Sequence, residues 1–515
     1  MRLVTSEEMR ALDNHAINNL GIPGCVLMEL AGSAAARAIM ERWTVEGRSF
    51  IVVCGRGNNG GDGFVVARHL QNHHAHVSIV TLAGESQLAG DALTNYRITR
   101  KMNIPVIEMD SSSDIMYLED LFNDADFIVD AIFGTGLDRD VNGISREVIS
   151  MINAVSAIRI AIDIPSGLNA NTGSPMGICV NADLTVTFGY AKIGHFTSPG
   201  FENCGEIVVA DISIPPVSHG DATVFVTTDT WVLSSLPRRT RRGHKGNFGH
   251  SVIIAGSRGK LGAAIMAGRS AVTMGSGLVT LVSHADVLDI LMGRITEEMC
   301  RSLCFDPQDP AFDDLMDFIS GDMRAVAFGP GLGTTDEVST LLDRILHTIK
   351  GPVIIDADGL TCIARRPEIL ENATCEVILT PHPGEMARLC GKTVKEIENS
   401  RHTTAVEYAR KHNVNILLKG ARTVIVSSKG RIAINPTGNP GMATGGSGDI
   451  LTGFITALCA QGCTPFEAMC IGAFLHGRAG DIAARECGEI SLKASDIIDN
   501  LPDAFSSLGS EDPDE

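Results

Sequence analysis

Two glycine-rich loops and a few acids carry the chemistry this sequence can offer. Gly55-Arg56-Gly57-Asn58-Asn59-Gly60-Gly61-Asp62-Gly63 follows a β-branched run and opens a helical pattern. Gly55, Gly57 and Gly60 spell G-x-G-x-x-G, a dinucleotide fingerprint. The acid that should stand about 20 residues on is missing. The next strand ends near Thr81-Leu82, and Glu85 comes late, within a loop. The loop therefore reads first as a phosphate seat, with backbone N–H groups at a helix N-terminus. A tight strand–helix turn is the plainer reading, but Asn58-Asn59 beside Asp62 is more polar than a turn needs.

Two further loops set acids at strand ends. Asp130 precedes Gly134-Thr135-Gly136-Leu137, and Asp163 opens Asp163-Ile164-Pro165-Ser166-Gly167. In a parallel sheet the strand C-termini converge on one edge. Asn59, Asp130 and Ser166 would then offer hard oxygens close together, suited to an alkali or alkaline-earth cation rather than zinc. Asp163 is left as the candidate acid/base. Burial at a dry sheet edge would raise its pKa and suit it to proton transfer. The plainer reading is an Asp capping the next turn. Lys192 is a candidate neighbouring cation.

The second loop is Asn439-Pro440-Gly441-Met442-Ala443-Thr444-Gly445-Gly446-Ser447-Gly448-Asp449. Glycines at a helix N-terminus form an anion hole, with Asp449 placed as a base beside it. It is not a Walker A loop, and Gly256-Ser257-Arg258-Gly259-Lys260 fails that pattern on spacing and hydroxyl. Gly329-Pro330-Gly331-Leu332-Gly333, Asp356-Ala357-Asp358-Gly359 and Pro381-His382-Pro383-Gly384-Glu385 each end a strand, as does Lys419-Gly420. His382 reads equally as structural or functional.

These loops need strands to hold them. Helices are predicted over 6–19, 25–43 and 63–71, and strands over 49–54, 76–82, 127–133, 158–164 and 184–188. Beyond a change of texture near 215–230 the alternation restarts. Strands follow over 251–255, 278–282, 325–328, 353–356, 377–379, 416–419 and 423–426, and one long helical stretch over 448–484. Strands separated by helices imply parallel sheets covered on both faces. The basic cluster Arg238-Arg239-Thr240-Arg241-Arg242-Gly243-His244-Lys245 reads either as a solvated linker or as a guide for an anion. The expected organisation is two tandem three-layer α/β domains over 1–215 and 227–505, then an acidic tail over 506–515.

Composition excludes several classes. The chain has 515 residues and a net charge of −19, a poor electrostatic match for nucleic acid or anionic membrane. Any anion must be captured locally. No apolar run of about 18 residues suggests a membrane span. The 13 cysteines are scattered without C-x-x-C, which fits free thiols in a reducing cytoplasm better than a disulfide or zinc scaffold.

Taken together, these motifs resemble the bifunctional NAD(P)H-hydrate repair family over nearly the whole chain. The resemblance to its epimerase half rests on Asn58–Gly63, Gly134–Leu137 and Asp163–Gly167. The resemblance to its ADP-dependent dehydratase half rests on His244-Lys245-Gly246, Gly329–Gly333, Asp356–Asp358, Pro381–Glu385 and Gly445–Asp449. It implies a Rossmann-like first domain, a ribokinase-like second domain, and hydrated NADH or NADPH as substrate. Asp163 would handle the epimerase proton. Asn58, Asn59, Gly60, Gly61, Asp62 and Gly134, Thr135, Gly136, Leu137, Asp138, Arg139, Asp140 would hold the dinucleotide. Potassium would sit at Asn59, Asp130 and Ser166. In the second half, Asp449 would act as base on a hydroxyl that attacks ADP. Lys419, Gly420, Ala421, Arg422, Thr423 and Gly445, Gly446, Ser447, Gly448 would bind ADP with magnesium. Gly331 and His382, Pro383, Gly384, Glu385, Met386, Ala387, Arg388 would face the hydrate. The expected partners are these small molecules, with no nucleic acid and no membrane, and a homo-oligomer of unspecified size. Two rival readings share the same motifs: a small-molecule kinase with Asp449 as base, and a first domain that is a nucleotide sensor or RNA-associated scaffold. Net charge weighs against RNA, and the Asp130/Asp163 pair against a passive fold.

Overall fold

The structure, a computed structural model, describes residues 1–109, 116–215, 223–321, 324–371 and 373–509. It divides into two compact units, Arg2–Ala222 and Thr223–Glu515 with Met1. Pro216 and the acidic tail from Ser510 onward lie outside the described residues.

The first unit is built on a seven-stranded parallel sheet. In spatial order its strands are Val106–Glu108, His76–Thr81, Ser49–Cys54, Phe127–Ala131, Ile158–Ile162, Leu184–Phe188 and Glu206–Ala210. Ser49–Cys54 shows why such strands read as unbroken apolar runs. Phe50, Val52 and Cys54 enter the core on one face, while Ile51 and Val53 enter the core on the other. Ser49–Cys54 lies between His76–Thr81 and Phe127–Ala131. Strand order reverses there, which opens a crevice at the C-terminal edge where ligands bind in such sheets.

The second unit carries a ten-stranded sheet. Its order is Val224–Val226, Ile432–Ile434, Val424–Val426, Asn415–Leu418, Val377–Leu379, Val353–Ile355, Arg324–Phe328, His250–Ile254, Leu278–Ser283 and Met299–Ser302. It is parallel except where Val424–Val426 runs antiparallel to both neighbours. The switch point lies between His250–Ile254 and Arg324–Phe328. Helices Leu261–Thr273, Ser447–Ala460 and Pro465–Cys487 share the core on one face. Gly453 lets two of them close up, since a Cβ there would stand 2.0 Å from Ser270 Oγ.

Three expectations are corrected. The long stretch over 448–484 is two helices, broken at Gly462 (φ +97°) and restarted by Pro465 with Thr464 as its cap. The helix expected from Gly63 begins at Asn58, so its first turn belongs to the glycine loop. The basic cluster does not border the second glycine loop. Arg239 lies 4.3 Å over Phe248 and bonds Gly275 O, beside the N-terminal ends of His250–Ile254 and Leu278–Ser283. That is the end of the sheet opposite the strand C-termini. Among the described residues no helix is long and apolar enough to cross a membrane.

Candidate functional sites

In the first unit, Gly55 and Gly60 make the turn possible. A Cβ on Gly60 would fall 1.9 Å from Gly55 O, and one on Gly55 2.0 Å from Ile132 O. The helix Asn58–Asn72 then starts from Gly57 without a side-chain cap. Its first N–H groups are left for a ligand. They face a cavity of about 1040 Å³, lined by Gly57, Asn58, Asn59, Asp62, Gly134 through Asp140, Asp163 and Lys192. Ligand pockets run to about 300–1,000 Å³, so a dinucleotide fits. Gly60 and Gly61 are not on the cavity wall. They pack inward, Gly61 against Met28.

Asp163 sits at φ +67°, a left-handed conformation that Asp tolerates better than most residues. Lys192 Nζ donates to its Oδ1, as does Thr187 Oγ1 at 3.1 Å. Lys192 is fully buried, its side chain 1% exposed. The raised pKa expected for Asp163 is corrected. Burial pushes the carboxyl up, but the Lys192 ammonium and its hydrogen bond outweigh burial, and the net shift is downward. Asp163 is a carboxylate, ready to accept a proton. Asp62 is pushed well up, by burial first and then by the charges of Asp163 and Asp13.

Asp130 and Ser166 lie beneath the cavity, fully buried. Ser166 donates from N and Oγ to Asp130, at 2.7 and 2.6 Å, and Ile132 N donates to it as well. Among the described residues no ammonium or guanidinium pairs with Asp130, and burial raises its carboxyl to about 6. Asn59, 8% exposed, has both amide atoms buried without a partner, and it lies against Gly134. An orphaned buried amide oxygen and a buried carboxylate at the same sheet edge are donors of the kind a monovalent cation takes.

In the second unit the loops converge on Lys419. Its Nζ is 2.9 Å from Asp356 Oδ1 and 3.9 Å from Glu385 Oε2. Burial would lower this ammonium, but Asp356 and Glu385 prevail and raise it. Thr452 Oγ1 donates to Asp356 Oδ2 at 2.8 Å. The helix Ser447–Ala460 starts at Gly446 (φ +100°) without a side-chain cap. A Cβ on Gly448 would lie 3.3 Å from Lys419 Nζ, so the uncapped turn and the ammonium face one another. Asp449, in that turn, has no hydrogen-bond partner among the described residues. Burial and then Asp356 push its carboxyl up to about 6. Such a group is an ionised base at neutral pH that can still hold a proton.

Other expected residues divide by burial. His382 caps the helix Pro383–Cys390, accepting from Gly384 N at 3.0 Å, while Glu385 Oε2 accepts from His382 N at 2.8 Å. Met386 and Ala387 are buried, whereas Arg388 is exposed. Ser257 Oγ donates to Gly331 O at 2.7 Å, and Lys260 pairs with Asp358 at 3.1 Å. The loop set aside as a failed Walker A thus buttresses the Gly331 turn. Arg422 Nη1 donates to Pro436 O, at the foot of the Lys419–Thr423 loop.

Sequence reasoning missed Arg401, 3% exposed, whose guanidinium donates to Leu418 O, Lys419 O and Ala421 O at 3.0–3.1 Å. It fixes the loop that carries Lys419 from the start of the preceding helix, with no local signal. Each bond from a charged donor contributes about 1.5–3 kcal/mol. Arg401→Ala is expected to release the Lys419–Thr423 loop and lower the melting temperature of the protein, measured by thermal denaturation. His476 was also missed. Buried and held neutral, with its pKa lowered to about 4 by burial, it bonds Ser447 O at 3.0 Å behind the anion hole.

Two α/β-sheet domains, each with a lysine among carboxylates beside an uncapped helix N-terminus, define a tandem α/β enzyme that handles nucleotides. Residues 251–503 match the family described as NAD(P)H-hydrate dehydratase, and residues 24–194 match that of the YjeF-related protein N-terminus. The bifunctional NAD(P)H-hydrate repair enzyme Nnr of Moorella thermoacetica is 41% identical over 99% of this chain and 98% of its own. That of Escherichia coli is 32% identical over 96% and 92%. The Bacillus subtilis ADP/ATP-dependent NAD(P)H-hydrate dehydratase, crystallised with ATP and Mg²⁺, is 32% identical. It matches 55% of this chain and 98% of its own, with a TM-score of 0.50. The chain belongs to the bifunctional NAD(P)H-hydrate repair enzyme family.

Proposed function

We propose that this protein repairs hydrated NADH and NADPH, whose reduced nicotinamide ring carries a hydroxyl at C6. The first domain interconverts the R and S epimers. The second removes water from the S epimer, converting ADP to AMP and phosphate. Fusing them makes chemical sense, since the first supplies the S form from the epimer the second cannot use. The observation that carries this reading is Asp449, unpartnered in the first turn of an uncapped helix that faces Lys419.

Hydroxide is a poor leaving group, so the hydroxyl must be activated. Asp449 takes its proton, and the oxygen attacks the terminal phosphate of ADP. Negative charge builds on the transferring phosphoryl group, where the Gly445–Gly448 amides and Lys419 stabilise it. The C6–O bond then breaks with phosphate as leaving group, the N1 lone pair assists, and a C5 proton is lost to restore the dihydronicotinamide. Among the described residues no three His, Cys, Asp or Glu side chains form a metal centre. Magnesium would enter with the nucleotide phosphates and offset their charge, with Glu385 and Asp449 as the carboxylates around Lys419 that could help hold it. In the first domain Asn59, Asp130 and Ser166 would hold potassium, which would offset the buried charge of Asp130. All 13 cysteines are free, which suits a reducing cytoplasm.

The reactive form of Asp449 is the carboxylate. ADP-dependent kcat/KM is therefore expected to fall about tenfold per pH unit below about 6 and to be flat above it. A profile flat down to pH 5 would remove Asp449 as base. The function itself is tested by recovery of dihydronicotinamide absorbance from a mixed-epimer hydrate with ADP and Mg²⁺. Full recovery establishes both activities. Recovery that stops when the S form is spent leaves only the dehydratase. None with ADP or ATP would favour a small-molecule kinase.

A further inference from the structure

An epimerase must act on both faces of the ring, and Asp163 is a single carboxylate that rises from the sheet edge. The helix Ser6–Asn18, before the first strand of the main sheet, presents Met9, Asp13 and Ile17 to the same cavity. These positions are four apart, one face of a helix. Met9 and Ile17 flank the carboxylate on that face, and Arg10 of the same helix also reaches the cavity. Asp13 makes no hydrogen bond or ion pair among the described residues. It is near enough to feel the charges of Lys192 and Asp163, and Asp62 feels the charges of Asp13, Asp163 and Lys192. Three carboxylates and the Lys192 ammonium thus line one cavity, whose wall also carries Arg10, Arg56 and Arg139. Carboxylates gathered at one site raise one another's proton affinity, which favours a proton on one of them.

We propose that Asp13 is the second proton-handling residue of the epimerase site, serving the ring face that Asp163 does not. This rests on the epimerase reading of the first domain. Asp62 rises from the loop that seats phosphate, and Asp163 from the neighbouring strand end. Asp13 alone comes from an element outside the sheet edge. Burial lifts its carboxyl to about 6, so it carries a proton more readily than Asp163 does. Asp13 gives that proton to the C6 hydroxyl. The C6–O bond breaks with its electron pair on oxygen, water departs, and the N1 lone pair becomes the C6=N1 bond. Water adds to C6 from the other face and yields a proton to Asp163, and the π pair returns to N1. Nothing is oxidised or reduced, and the reverse reaction exchanges the two roles. The ring passes through a cation, which the remaining carboxylate charge stabilises.

The test uses the full-length chain and the purified S hydrate without ADP, following appearance of the R epimer by chromatography. Asp13→Asn, nearly isosteric, is expected to slow exchange at least about 100-fold with KM for the hydrate little changed. ADP-dependent conversion of the S form should stay at the wild-type rate. Asp13→Glu is expected to restore exchange to within about tenfold of wild type. Exchange by Asp13→Asn within about threefold of wild type overturns the proposal. So does Asp13→Glu as slow as Asp13→Asn, which would make the residue a packing element. A wild-type chain that exchanges nothing would instead bring down the epimerase reading itself, and Asp13 with it.

Discussion

Asp449→Asn is expected to lower ADP-dependent dehydration by about 10²–10⁴-fold while leaving epimer exchange at the wild-type rate. The amide keeps the shape of the carboxylate and cannot take a proton from the hydroxyl. Nothing else is poised to replace it. Asp356 is held by Lys419 and Thr452, and Glu385 by His382 N. The anion hole should survive, because its geometry comes from Gly446 and from His476 behind Ser447. Binding of ADP should therefore change little, and the loss should fall on kcat. A variant that keeps kcat but loses ADP affinity would make Asp449 a binding residue. Following dihydronicotinamide absorbance from pure S hydrate reads both parameters.

Asp163→Ala is expected to abolish epimer exchange and to spare dehydration of the S form. Given a mixture of epimers, ADP and Mg²⁺, this variant should recover only the S fraction. The substitution also leaves Lys192 buried without its carboxylate. Breaking a buried pair costs about 3–5 kcal/mol, so the first domain should melt earlier. Asp163→Asn keeps an acceptor for Lys192 and separates chemistry from stability. Exchange at the wild-type rate in the Asn variant would show that Asp163 positions Lys192 and is not the base.

The parallel sheets were legible because both faces of each strand are covered. Inner strands such as Ser49–Cys54 and Val377–Leu379 read as short apolar runs and lie where the pattern puts them. Edge or short strands such as Met299–Ser302 and Val106–Glu108 were not legible. Only one side of each is paired, and their residues are largely exposed or half-buried. Both glycine loops were legible, because Gly60 in the first leaves only 1.9 Å for a Cβ and Gly446 in the second sits at φ +100°, and both conditions favour glycine.

By itself, then, the sequence determined the tandem α/β order, the two glycine loops at helix starts, and the acids Asp163 and Asp449 beside them. These are local properties, set by spacing and by what a backbone can do without a side chain. The tertiary structure alone decided which charges face one another. It turned Asp163 from a raised acid into an ionised base by burying Lys192 against it, and it left the amide of Asn59 buried without a partner. It brought Arg401 under the Lys419 loop and Asp13 onto the wall of the first cavity. A carboxyl's proton affinity depends on the few ångströms around it, and those neighbours come from elements far apart along the chain.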